Sequence, residues 1–225
     1  MKIITASDSS LLVEFGDVIS PALNARVLAL FCALMAEKDA RIRNLHPAYA
    51  SLLIDFDPLR MSHQELTGRV EKLAEGAQDG AGVAARTVTI PVCYGAEFGP
   101  DLGDVAAHNS ISMEDVVRLH TAATYTVYFL GFSPGFAYLG GLPAQLRTPR
   151  LATPRVRVIA GSVGIAGEQT GVYPVETAGG WRLIGRTPLS MFKATSGSPS
   201  LLQPGDVVRF KAIHRTEFEA VFESA

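Results

Sequence analysis

The sequence predicts an α+β protein in two parts, an α/β sandwich domain over residues 1–85 and an all-β barrel or sandwich over residues 86–225. Three observations carry this. Strand-like and helix-like apolar patterns alternate through residue 92. Beyond residue 130, Gly and Pro recur every few positions, with short runs rich in β-branched and aromatic residues between them, such as YTVYFL (125–130), RVRVIA (155–160) and WRLIG (181–185). The 225-residue chain is 48% hydrophobic and 19% charged, which is ordinary globular composition with enough apolar surface for two cores.

The elements follow in order. Residues 2–5 and 10–15 read as two short strands. Ser20-Pro21 sets an N-cap and a Pro at the first helical position. Leu23, Val27, Leu30, Phe31 and Leu34 then recur at helical spacing. YASLLIDF (49–56) returns to strand and Asp57-Pro58 stops it. Ser62 with Glu65 three residues on forms a capping box for a helix continued by Leu66, Val70 and Leu73. A Gly/Ala-rich break spans 76–82, and RTVTIPV (86–92) is a further strand. This succession suits a two-layer, ferredoxin-like sandwich. Ser112 opens one more short helix through His120, and from there the chain reads as β and turn.

Composition excludes several classes of function. Twenty basic against twenty-two acidic side chains leave a formal charge of −2, so nothing drives the chain electrostatically toward nucleic acid or an anionic membrane. No apolar run approaches the ~18 residues of a membrane span, and Met1–Thr5 lacks the apolar core of a signal peptide. A cytoplasmic protein with two reduced, structural thiols, Cys32 and Cys93, is expected. There is no phosphate-cradling Gly-Lys-Ser/Thr loop, no Gly-x-Ser-x-Gly elbow and no Lys between methionines for biotin attachment. The five histidines are scattered, so no metal site is expected.

Chemistry-bearing residues concentrate between 125 and 188. GFSPGFAYLGG (131–141) places Phe132, Phe136 and Tyr138 around a turn containing Pro134. TPRLATPRVR (148–157) repeats Pro-Arg, presenting Arg150 and Arg155 from a stiffened backbone suited to a carboxylate or phosphate. Gln169, Thr170 and Tyr173 add polar groups, and Trp181 and Arg186 a large ring and a third guanidinium. The aromatics serve equally as barrel plugs or as ligand walls, and Trp181 as core or interface. The Arg excess is harder to absorb structurally. Only Glu168 and Glu176 are available between residues 125 and 190, which points to an external anion or to acids on a partner. His120 closes its helix, where it meets the helix dipole or serves as a candidate general base.

At these residues the chain becomes recognisable. HTAATYTVYFLGFSPGFAYLGGL (120–142), TPRLATPRVRVIAGSVGIAGEQTGVYP (148–174), GGWRLIGRTPLSMF (179–192) and LLQPGDVVRF (201–210) resemble the PxpB/KipI family of 5-oxoprolinase subunits. The family is also labelled allophanate hydrolase subunit 1 or carboxyltransferase subdomain C/D. IPVCYGAEFGPDL (90–102) and HPAYASLLIDFDP (46–58) extend the resemblance over the whole chain. It implies a ferredoxin-like N-terminal domain followed by a cyclophilin-like β-barrel. It also implies a larger PxpC/KipA-type partner and a PxpA-type third subunit, together opening 5-oxoproline to glutamate at the expense of ATP. ATP with Mg would then belong to the assembled complex and not to this chain alone, which would be inactive by itself. Two alternatives remain within the family: the carboxyltransferase component of a biotin-dependent urea carboxylase, and an inhibitor of a histidine kinase. Under the first reading Arg150, Arg155, Gln169, Thr170, Tyr173 and Arg186 would be the polar lining of a site shared with the larger subunit. Phe132, Pro134, Phe136, Tyr138 and Trp181 would be its walls or partner contacts. Where relatives commonly read Ser-Pro-Gly-Gly-Trp, this chain has Thr177-Ala178-Gly179-Gly180-Trp181.

Overall fold

The computed structural model describes residues 1–76 and 86–223. The chain divides into two compact units, Met1–Ala85 and Arg86–Ala225. The break expected at 76–82 lies, from residue 77 on, outside the described residues.

The first unit is a four-stranded antiparallel sheet carrying two helices. Its elements are β1 (Lys2–Ser7), β2 (Ser10–Glu14), α1 (Pro21–Glu37), β3 (Ile42–Pro47), β4 (Ser51–Phe56) and α2 (His63–Gly76), with sheet order β1-β2-β4-β3. The connectivity is therefore ββαββα. The ferredoxin-like succession is βαββαβ, and moving β1 to the end of the unit would restore it. Strand β3 is absent from the sequence expectations because RNLHP has no period-two apolar alternation; only Ile42 and Leu45 face inward, and β3 holds its place by pairing with β4. Leu11, Val13, Leu52, Ile54 and Phe56 on the sheet meet Val27, Leu30, Leu34, Leu66 and Val70 on the helices. Only half of the capping box forms: the Ser62 hydroxyl accepts from the Glu65 N–H at 3.1 Å, while the Glu65 carboxylate pairs with Arg41. Asp39 takes Arg41 and Arg69, and these hydrogen bonds hold its carboxyl well below the usual range.

The second unit is a closed barrel of seven strands. In chain order they are β5 (Thr87–Tyr94), β6 (Tyr125–Leu130), β7 (Ala137–Gly140), β9 (Ser162–Ala166), β10 (Gln169–Val172), β12 (Arg182–Arg186) and β13 (Val207–Ala212). Around the barrel they run β10-β7-β6-β13-β5-β12-β9, and β9 closes onto β10. All pairings are antiparallel except β13 with β5. Ile90, Val92, Val127, Leu139, Val163, Ile165, Ile184 and Val208 belong to the main core. Helix α3 (Leu102–Asn109) and α4 (Met113–Ala122) add Val105 and Val116 to it. Ser112 caps α4, its hydroxyl accepting from the Asp115 N–H at 3.0 Å.

Two helices in this unit lie outside the one expected at 112–120: α3 falls where the sequence reading assigns no element, and one near the C-terminal end corrects the reading of the chain beyond His120 as β and turn. GPDLGDVAAHN forms α3 behind Asp101, whose side chain makes no capping bond, by burying Leu102, Val105 and Ala106 at helical spacing, and HRTEFEAVFE forms α5 (Arg215–Glu223) behind the bond from the Phe218 N–H to the His214 carbonyl. A two-stranded ribbon, β8 (Arg155–Val158) with β11 (Thr177–Gly179), stands apart from the barrel strands. Strands β9 and β12 point Ile165 and Ile184 into the main core. The next residues on the opposite face, Ala166 and Leu183, join a second cluster with Val158, Phe136, Tyr173 and Trp181.

One buried carboxylate ties these layers together. Asp101 is 4% exposed. Its Oδ1 accepts from Arg155 Nη2 at 2.6 Å on β8, and its Oδ2 from the Leu183 N–H at 2.7 Å on β12. Its own N–H donates to the Leu183 carbonyl. Asp101→Ala leaves a half-buried guanidinium and a buried N–H without partners, and is expected to cost about 2–4 kcal/mol. Urea denaturation of the variant checks this, and an unchanged midpoint would refute the role assigned to Asp101.

Candidate functional site

The second cluster opens into a cleft of about 260 Å³. Phe132, Phe136, Tyr138, Arg150, Pro154, Tyr173, Trp181 and the backbone of Ala178–Gly180 line it. The walls are rings at right angles. Phe136 meets Trp181, Tyr173 and Tyr138 edge to face, with centroids 5.4, 5.4 and 5.1 Å apart. Each such pair adds about 0.5–1.5 kcal/mol beyond area burial. Glycine makes the approach possible at two points. A Cβ on Gly171 would lie 3.2 Å from both the Phe136 and Trp181 rings, and a Cβ on Gly179 would collide with the Tyr173 hydroxyl. That hydroxyl accepts from the Trp181 backbone N–H.

The electrostatics are simple. Arg150 is exposed at the cleft and pairs with no carboxylate among the described residues. Burial raises the phenols of Tyr138 and Tyr173 above their ordinary value, and the Arg150 cation draws both part of the way back. Both therefore stay protonated at neutral pH as hydrogen-bond donors. Among the described residues, no carboxylate, histidine, lysine or cysteine lines the cleft. It can hold a small, partly flat anion away from water, but its lining offers no base or nucleophile to act on one.

Several expected site residues lie elsewhere. Arg155 is paired through its Nη2 with Asp101, 54 residues upstream, and does not line the cleft, while its Nη1 is buried without a hydrogen-bond partner among the described residues. Arg182 likewise takes Asp104, Arg147 takes Glu168 and Arg157 takes Glu176. Arg186 donates to the Ala160 carbonyl and lies 5.6 and 5.5 Å from the ring centroids of Phe218 and Phe222, clamping α5; burial lowers its pKa. Gln169 is half-buried at the start of β10, outside the lining. Pro134 is exposed on its loop and does not line the cleft.

Thr170 and His120 belong to the barrel interior, both fully buried. The Thr170 hydroxyl donates to the Gly164 carbonyl at 2.9 Å, so toward His120 Nε2, 3.0 Å away, it can only accept. Nε2 therefore carries the proton, and Nδ1 accepts from the Tyr94 hydroxyl at 2.7 Å. The ring stacks on Phe210, centroids 4.4 Å apart. With no acid beside it, burial pushes its pKa down to about 3. His120 is a neutral structural link, neither a general base nor a dipole partner at the surface. Pro154, Ala178, Gly179 and Gly180, which the sequence reading does not count among the site residues, join the cleft beside the β8–β11 pairing, which no local pattern announces.

The fold and site together are those of a closed barrel flanked by an aromatic cleft, whose lining carries one guanidinium with no carboxylate partner among the described residues. The sequence profile of the family described as "Carboxyltransferase domain, subdomain C and D" matches residues 1–202, and the chain belongs to that family. It is 41% identical to the B component of the 5-oxoprolinase of Bacillus subtilis, over 97% of this chain and 95% of that one. It is 39% identical to the B component of the 5-oxoprolinase of Haemophilus influenzae, over 93% and 97%. Among solved structures, TTHA0988 superposes with a TM-score of 0.82 at 38% identity over 91% of this chain, which spans 40% of that longer chain. The urea amidolyase of K. lactis matches at TM-score 0.77 and 22% identity, over 99% of this chain and 15% of that one, a likeness of fold alone.

No group of three or more His, Cys, Asp or Glu side chains among the described residues is placed to hold a metal, and no helix among them is long and apolar enough to cross a membrane.

The buried neutral His120 sets a pH dependence. Its ordinary value is 6.5 and its folded value about 3. Between those values the unfolded chain binds a proton that the folded chain refuses, so stability falls as pH drops through the window, by at most about 1.4 kcal/mol per pH unit. His120→Gln keeps a donor toward Thr170 and an acceptor toward Tyr94 without titrating. Its denaturation midpoint should lose less than that of the parent between pH 7 and pH 4; equal losses would overturn the assignment.

Proposed function

We propose that this chain is the B component of a 5-oxoprolinase and that its cleft binds 5-oxoproline, with catalysis completed by other subunits. The observation that carries the reading is the cleft: an unpaired Arg150 among rings, with no base, beside near-full-length identity to the corresponding 5-oxoprolinase component of two bacteria. 5-Oxoproline is a small lactam ring bearing a carboxylate. Arg150 would take the carboxylate, which the planar guanidinium matches with two parallel hydrogen bonds. The Phe136 and Trp181 rings would cover the apolar faces of the lactam. The phenols of Tyr138 and Tyr173, held protonated by burial, would donate to its carbonyl.

Ring opening coupled to ATP requires a nucleophile, a base and phosphate-binding groups. The lining does not fit ATP with Mg: it offers one cation and no carboxylate for a divalent ion. We therefore place the nucleotide on another subunit and derive no step through it. In this reading a larger PxpC/KipA-type subunit supplies the missing groups across the open cleft, a PxpA-type subunit completes the complex, and the chain alone is inactive and works in the cytoplasm.

The test is ATP-dependent conversion of 5-oxoproline to glutamate by the chain alone, with the larger subunit, and with all three components. Activity is expected only in the complete mixture. In that mixture Arg150→Ala should raise KM for 5-oxoproline by roughly tenfold or more, the usual magnitude for a charge-assisted bond. Arg155→Lys should keep KM near the parent value. An unchanged KM for Arg150→Ala removes 5-oxoproline from this cleft.

A further inference from the structure

Two costs fall on adjacent residues at the mouth of the cleft. Phe132 adopts φ +68° without being glycine, a conformation worth about 1–2 kcal/mol of strain for an ordinary side chain. The residue is 62% exposed although it lines the cleft, and its ring touches the wall through an edge-to-face contact with Phe136, centroids 5.5 Å apart. The next residue, Ser133, buries its hydroxyl oxygen without a hydrogen-bond partner among the described residues. An orphaned buried hydroxyl costs about 1–3 kcal/mol. The segment is held by backbone bonds from the Gly131 N–H to the Phe136 carbonyl at 3.0 Å, from the Ser133 N–H to the Gly131 carbonyl at 2.8 Å, and from the Phe136 N–H to the Ser133 carbonyl at 3.0 Å. Gly131 and Gly135, the latter at φ +82°, flank the strained pair as natural hinges.

Penalties concentrated on two neighbours favour any arrangement of this loop that returns Phe132 to negative φ and gives Ser133 a partner, since such a movement recovers both. We propose that residues 131–136 form a lid, and that the Phe132 ring folds from its exposed position over the ligand while the Ser133 hydroxyl gains a hydrogen bond. Phe132 is then the residue that sets ligand size: the cleft closes on a single small ring and not on a longer amide or peptide. The ligand's identity rests on the 5-oxoprolinase reading; the two-state loop does not.

The experiment has two arms. The first needs no ligand. Amide exchange of residues 131, 133 and 136 reports opening of the three holding bonds, and acrylamide quenching reports access to Trp181, the single tryptophan, in the cleft wall. Ser133→Ala removes the orphaned hydroxyl and so favours the resting loop. Exchange at those amides should slow by roughly fivefold or more, with global stability equal or higher. Unchanged or faster exchange overturns the lid. The second arm uses the reconstituted complex and 5-oxoproline, with Phe132→Ala beside Arg150→Ala. Phe132→Ala should raise KM by roughly tenfold, the worth of one buried ring face, with a smaller change in kcat, and should let larger lactams in. Impairment by Arg150→Ala with no change in Phe132→Ala sinks the lid and leaves the binding site standing. No effect of either variant sinks the 5-oxoproline site, and the exchange arm then decides the lid alone.

Discussion

The site depends on a carboxylate that takes no part in it. Asp101 begins α3, yet its two oxygens reach β12 and the first residue of β8. Without that bridge the β8–β11 ribbon loses its charged anchor to the barrel at this corner, and Pro154, Ala178 and Gly179 would lose their position as cleft walls. Burying an ion pair is costly in general. Here part of the cost is offset because both carboxylate oxygens are satisfied by fixed donors and the Arg155 side chain remains 30% exposed, although its Nη1 is buried without a partner among the described residues. The pair therefore serves geometry more than stability. It fixes where an aromatic surface ends and an open space begins.

Much of this is legible in the chain. Helices α1, α2 and α4 announce themselves through Pro21, Ser62 and Ser112 and through apolar residues at helical spacing. The cleft aromatics Phe132, Phe136, Tyr138, Tyr173 and Trp181, with Arg150, sit in the Gly/Pro-punctuated segments where binding residues are expected. What escapes is whatever depends on distant pairing. Arg155 looks unpaired in the sequence because its acid lies 54 positions upstream, at the start of α3, a helix of only eight residues. Arg186 looks free because its aromatic partners lie on α5, near the C-terminal end of the chain. His120 reads as a helix-dipole partner or candidate base because helix spacing says which face a residue takes but not that the face enters a barrel. A window census of charges errs whenever the fold brings strands from far apart into register.

The cleft and the barrel interior handle polar groups in opposite ways. Inside, every donor in the Tyr94–His120–Thr170–Gly164 series has one acceptor, so the series has a single arrangement of protons and no charge. At the cleft, Arg150 keeps a full charge without an acid, and two phenols keep their protons through burial. The interior is finished, whereas the cleft is left with donors to spare. A surface of that kind favours an incoming anion, because its rings lower the local dielectric around a guanidinium presented from the stiffened Pro149-Arg150 backbone.

Strand β13 carries a consequence for how the molecule is made. It lies between β5 and β6, parallel to β5, yet it comes from residues 207–212. The ribosome therefore delivers the two flanking strands more than seventy residues before the one that joins them (130 to 207). Until residue 212 has left the exit tunnel, the facing edges of β5 and β6 are unpaired and the interior that will hold His120 is open to water. Barrel closure is thus a late event in synthesis, dominated by sequence-distant pairing that is intrinsically slow. The first unit, whose four described strands and two described helices all lie before residue 77, can be in place well before it.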